Sequence, residues 1–153
     1  MAQANTKGKR GEQEVANLLR DVVQRYIREN PGTDPSVVSQ LEKIVQRNLN
    51  QSAAGGGDIN VFGVSVEVKR QEALAIEKWW AQCCTSAARN NDVPVLMFRQ
   101  NHKQWRIMLH GALLFNNNRS MRFARVEISL ADFQEWFYAW ASCKIGEGLL
   151  DRV

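Results

Sequence analysis

Cysteine, proline and long apolar runs are all scarce in this chain. Its 3 Cys are an adjacent pair, Cys83 and Cys84, and a solitary Cys143. They make neither a C-x-x-C motif nor an even set, so no disulfide framework or structural zinc site can be built, and a reducing cytosol is the expected compartment. Only 3 Pro and 10 Gly occur among 153 residues, which excludes collagen-like and Pro/Gly-rich disordered chains. No apolar run reaches the roughly 20 residues of a membrane span. Charges recur every few positions from the start of the chain, against a secretory signal. His102 and His110 have no partner at metal-ligand spacing and read as surface residues. There is no internal repeat and no linker. What remains is 44% apolar and 24% charged, the profile of one globular domain over residues 1–153, large enough to bury about two-thirds of its unfolded surface.

The formal net charge of +4 is too small by itself to assign a nucleic-acid partner. Its distribution says more. Arg89, Arg99, Lys103, Arg106, Arg119, Arg122 and Arg125 are opposed by Asp92 alone over residues 89–125, so the rest of the chain is slightly acidic.

Helical spacing of Val15, Leu18, Leu19, Val22, Val23 and Tyr26 predicts an amphipathic helix over residues 12–27, ended by Pro31-Gly32. Asp34-Pro35-Ser36 reads as a cap, after which Val37, Val38, Leu41, Ile44 and Val45 continue a helical period. Residues 44–51 also fit a strand, with Val45, Arg47 and Leu49 on one face. Gly55-Gly56-Gly57 frees the backbone for a sharp turn and close approach. Residues 59–61 and 64–69 then read as two strands across a Phe62-Gly63 turn, with Glu67 and Lys69 on one face. A helix from residue 76 to about 90, strands over 93–98 and 105–109, a short helix over 110–117, a strand over 122–128 and a helix over 130–143 complete an α/β domain. Trp79 and Trp80 cannot both be fully buried. Trp136, Phe137 and Trp140 are assigned to packing, and Cys83 and Cys84 to inert helix positions.

Asp58 opens the strand pair and Glu67-Val68-Lys69 lies on its second strand, so two carboxylates and an amine converge near the turned end of a hairpin. Two carboxylates held together raise each other's pKa unless they share a cation. A hard divalent ion with oxygen ligands removes the conflict, Mg²⁺ being usual where a substrate brings phosphate oxygens and Mn²⁺ an acceptable substitute. A lysine beside such an ion can hold the attacking water or neutralise charge on a pentavalent phosphate.

Asp58 followed by Glu67-x-Lys69 behind a Gly-rich turn resembles the PD-(D/E)xK nuclease signature, in its Holliday junction resolvase-like branch. Lys7-Gly8-Lys9-Arg10-Gly11-Glu12 looks like that family's N-terminal motif. The resemblance implies a restriction-endonuclease-like core, a central mixed β-sheet flanked by helices. It implies Glu12, Asp58, Glu67 and the Val68 carbonyl as metal ligands, and Glu12, Asp58, Glu67 and Lys69 as the catalytic set, while Glu14 faces elsewhere on the helix. Arg47, Gln51 and Ser52 resemble the segment that contacts the scissile strand, and Gln82 falls where related nucleases place a glutamine near the metal. Lys7, Lys9, Arg10 and Arg70 join the expected DNA contacts, with residues 1–11 as a basic arm. Gly57 stands where the family has proline, and residues 32–41 look like an insertion. Size and the Trp79-Trp80 pair are similar to bacteriophage members, which would place the chain in a host cytoplasm.

These expectations amount to a Mg²⁺-dependent endodeoxyribonuclease that resolves four-way junctions by paired nicks, leaving 5′-phosphate and 3′-hydroxyl ends, and acting as a homodimer because paired cuts call for a twofold. Other activities on the same core, at flaps, ends or nicks, share the motif. A non-cleaving DNA-binding recombination accessory protein is the rival from outside enzymology.

Overall fold

The computed structural model describes residues 2–49, 57–116 and 120–148, with side chains from Thr6 onward. Helix α1 (Ala2–Glu29) buries Val15, Ala16, Leu19, Val22 and Val23 along one stripe, the apolar recurrence that the spacing predicts. It begins ten residues earlier than expected, so Lys7, Lys9 and Arg10 of the basic arm sit on helix. Helix α2 (Pro35–Leu41) starts at Asp34, whose side chain accepts from the Ser36 amide at 2.8 Å, with Pro35 at the first turn. It stops short of the continued helical period. Val45 is buried outside it, and its carbonyl accepts from Arg20 Nε and Nη2 at 3.2 and 2.9 Å.

Strands β1 (Ile59–Val61) and β2 (Val64–Arg70) form the expected antiparallel hairpin. Its turn places Phe62 at φ 52° and Gly63 at φ 76°, the left-handed pair that a two-residue hairpin turn requires. Phe62 tolerates this because its ring is buried 6.1 Å from Phe137 and its carbonyl accepts from Trp140 Nε1 at 2.8 Å. Helix α3 (Ile76–Ala88) crosses to β3 (Val93–Arg99), which lies parallel to β2; β4 (Arg106–Leu114) and β5 (Met121–Ile128) follow antiparallel, and α4 (Leu130–Gly146) closes the described chain. The order β1-β2-β3-β4-β5 makes a mixed five-stranded sheet with helices on both faces, the α/β architecture of a restriction-endonuclease-like core.

Alternation along the strands sorts the interior into two layers. Val64, Val66, Val68, Val95, Met97, Ile107 and Leu109 face α1 and α4, where Phe133 and Phe137 fill the core. Leu96, Phe98 and Met108 face α3, under Trp79 and Cys83. Trp79 is buried and Trp80 half-buried against the His110 ring. In α4, Phe137 is core, whereas Trp136 and Trp140 stack at 5.4 Å and line a surface cleft of about 310 Å³ with Cys143 and Lys144. No described helix is long and apolar enough to cross a membrane.

The expected short helix over 110–117 is absent. Residues 110–114 continue β4, pairing with β5 from Ile107↔Ile128 out to Leu114↔Met121. Ala112, Leu113 and Leu114 favour a helix locally, but the ladder's hydrogen bonds override that preference. At Gly111 an added Cβ would lie 2.9 Å from Val126 Cγ2, so the glycine that weakens a helix is what lets the strands close together.

Candidate active site

Continuing the Ile59↔Val66 register by one residue sets Asp58 across from Glu67. This is the open end of the β1–β2 hairpin, not the turned end that the sequence suggested, because the turn lies at Phe62-Gly63. Both acids are buried, Asp58 at 5% exposure and Glu67 at 4%, an uncommon condition for carboxylates. Asp58 Oδ2 accepts from the Val68 amide at 2.7 Å, which fixes the side chain along the neighbouring strand. Glu67 Oε1 accepts from Gln82 Nε2 of α3 at 3.0 Å and lies 3.2 Å from Lys69 Nζ. Burial pushes the Glu67 carboxyl above the ordinary glutamate range, Lys69 pulls it back, and the charge of Glu12 adds to the rise.

Two glycines permit the approach of these elements. A Cβ at Gly11 would lie 3.1 Å from Arg70 Cβ and 3.5 Å from Val68 Cγ1, so α1 rides close on β2 and carries Glu12 toward Glu67. A Cβ at Gly57 would lie 2.7 Å from the Val66 carbonyl oxygen and 2.8 Å from Ser65 Oγ. Proline carries such a Cβ, which accounts for glycine at this position. The buried Ser65 hydroxyl beside it has no hydrogen-bond partner among the described residues.

Arg47 donates through Nε and Nη2 to Glu12 Oε2 at 3.0 and 2.8 Å. Its backbone forms an isolated antiparallel bridge with Ile59, and the Asn48 amide donates to the Asp58 carbonyl at 2.7 Å. Arg47 thus ties the helix acid to the strand acid, a link that sequence reasoning missed because nothing in local spacing relates residue 12 to residue 47. Glu14 faces away, as the helical period requires, and takes Arg70 at 2.7 Å and Arg99 at 2.9 Å. The Arg70 guanidinium is therefore held within the fold. Arg106 pairs with Glu127 and Arg125 with Glu77, so three cations of the 89–125 stretch are matched by acids from elsewhere in the chain. Gln51 and Ser52 lie outside the described residues, as do Gly55 and Gly56.

The structure thus brings Asp58, Glu67, Lys69 and Gln82 together, with Glu12 and Arg47 alongside. Among the described residues no three His, Cys, Asp or Glu side chains already stand as a metal cage. The donor chemistry nonetheless fits a hard divalent cation, because the buried groups of Asp58 and Glu67 are carboxylate oxygens.

A mixed sheet with helices on both faces, and a D…E-x-K set at the open end of its first hairpin, define a nuclease core of the PD-(D/E)xK class. The match to known proteins is specific: over residues 3–138 the chain fits the family described as "phage putative PDDEXK endonuclease", and it belongs to that family. Protein D14 of Escherichia phage T5 is 25% identical over an alignment of 148 positions that covers 86% of this chain and 90% of that protein. No solved structure matches.

Proposed function

We propose that this phage-family nuclease is a metal-dependent endonuclease that hydrolyses DNA phosphodiester bonds, and that its substrate is a four-way junction cut by paired nicks from a homodimer. The observation that carries the catalytic reading is the buried pair Asp58 and Glu67, with Lys69 Nζ 3.2 Å from the latter. Burial of two acids without a stabilising role is unfavourable by several kcal/mol per ion, so their retention points to a cation.

Asp58, Glu67 and the Val68 carbonyl would hold Mg²⁺ or Mn²⁺, with Glu12 as a further carboxylate. When bound, such an ion supplies Lewis acidity toward a phosphoryl oxygen and acidifies a water. The chain's own groups do the rest. Lys69 holds the attacking water or offsets charge growing on the phosphate, and Gln82 fixes the Glu67 oxygen that also faces Lys69. Lys7, Lys9 and Arg10, on the first turns of α1, offer sequence-independent phosphate contacts. Arg47, with Glu12 as its present partner, would contact the scissile strand. The junction preference rests on the resolvase-like motif order and not on any contact in the site.

The test is cleavage of a labelled immobile four-way junction beside linear duplex, flap and single-strand controls, in Mg²⁺ and in EDTA, with Asp58→Asn in parallel. Symmetric nicks confined to the junction, absent in EDTA and in the variant, are expected. Cutting at flaps or ends would retain the site and discard the substrate, and tight binding without cutting would favour the accessory protein.

A further inference from the structure

Beyond Gly111 the β4–β5 hairpin leaves the body of the protein. Ala112, Leu113 and Leu114 pair with Phe123, Arg122 and Met121, and all six residues are exposed, so neither face of this arm is covered. A bare two-stranded hairpin is marginal in water. This one carries Leu113 at 50% exposure, Leu114 at 67%, Phe115 at 58%, Met121 at 61% and Phe123 at 79%.

The pairing register separates the two faces of the arm. Met108 faces the α3 layer while Ile107 and Leu109 face the α1–α4 layer, so Ala112, Leu114, Met121 and Phe123 share the α3-side face. Leu113 and Arg122 are on the other, where the Arg122 guanidinium lies 5.8 Å from the centre of the Phe115 ring. Among the described residues the α3-side face of the arm therefore holds no charge. Toward the body it runs into His110, edge-on to Trp80 at 5.1 Å, and is bordered by the closed ion pairs Arg125–Glu77 and Arg106–Glu127. An apolar centre with a neutralised polar rim, rich in Phe, Leu and Met and free of Lys, Asp and Glu, is the anatomy of a protein–protein interface.

We propose that this face is the twofold interface between two copies of this chain. The inference rests on the homodimer of the proposed function and supplies the surface for it. A twofold brings the same patch against itself, and a patch without charge meets its own copy without like-charge repulsion. On this face Leu114, Met121 and Phe123 are three-fifths to four-fifths exposed, and with the exposed Ala112 and His110 and the half-buried Trp80 beside them they offer roughly 400–500 Å² per chain. Two copies then remove about 800–1,000 Å², the small end of interfaces, where association is weak and concentration-dependent. A DNA-contacting face would need cations aimed outward, and on this face the bordering arginines are already paired.

Sedimentation of the full chain across a wide concentration range tests the proposal, beside Leu114→Asp/Phe123→Asp and the milder Leu114→Ser/Phe123→Ser. Dimer mass is expected for the wild type. Association weakened about a hundredfold or more is expected for the aspartate pair, with far-UV circular dichroism unchanged and a cooperative melt. If the aspartate pair fails to fold, the serine pair reads the same loss. A monomeric wild type, or a variant that stays dimeric, overturns the interface. So does a monomeric wild type whose DNA affinity falls in the variants, which would make the arm a DNA contact. Asp58→Asn run alongside keeps the failures apart: its continued cleavage would sink the active site and leave the interface standing, whereas a monomeric wild type with metal-dependent cleavage would do the reverse.

Discussion

The two ends of the sheet invert the usual distribution of residues in opposite ways. At the β1–β2 end, two carboxylates are buried and braced from α3 and the neighbouring strand. At the far end of β4–β5, five large apolar side chains stand in solvent with no layer over them. Exposed apolar atoms and surface charges are ordinary, whereas buried charge and a contiguous exposed apolar patch carry information. Both exceptions occur in a chain small enough that neither is diluted; the proposed cation would complete the first end and the proposed second chain would cover the other.

The largest expected effect breaks the first end. Asp58→Asn should reduce cleavage about a thousandfold or more, the scale of losing a group that acts in the transition state, as measured on the junction substrate with binding retained. Gly57→Ala is next. Its Cβ would fall 2.7 Å from the Val66 carbonyl oxygen, so the backbone must shift and carry Asp58 with it. A loss of about 1–3 kcal/mol is expected by urea unfolding, along with loss of cleavage; unchanged stability would mean the strand ends are looser than they look.

A third expectation concerns pH in the metal-free chain. Because burial raises the Glu67 carboxyl in the fold, the folded chain holds that proton more tightly than the unfolded one. Stability from this group is full below the ordinary glutamate range and is lost as pH rises through the raised value. Melting with and without Glu67→Gln across acid to neutral pH should show the wild type losing ground relative to the variant, and the opposite order would mean that Lys69 outweighs burial. The smallest effect belongs at the rim of the second end. A double-mutant cycle on Arg106 and Glu127, both substantially exposed, should give a coupling of at most about 1 kcal/mol.

Much of the first end was legible in the sequence. The period of α1, the alternation of Val64, Val66 and Val68 and the turn at Phe62-Gly63 are local patterns, and with them Glu67 and Lys69 fall on one face without any tertiary information. The position of the site along the hairpin was misjudged because motif order does not say which end of a two-strand ladder stays open; the register does. At the second end the strand over 122–128 was legible, but the stretch after residue 109 was misread as a helix. Residues 110–114 contain glycine, alanine and two leucines whose local preferences do not specify a strand, and the partner that makes them one lies beyond residue 120.

By itself the sequence determined the α/β class, the amphipathic first helix, the first hairpin and the acidic motif on it, since each depends on residues within a few turns or one ladder step of each other. Tertiary structure alone decided that Arg47 holds Glu12, that Asp58 is pinned by the Val68 amide, that Glu14 takes up Arg70 and Arg99, and that the last hairpin emerges as a bare apolar arm. Those are contacts between segments whose separation along the chain carries no spacing rule. Burial, hydrogen-bond satisfaction and strand pairing select them only once the whole sheet has formed.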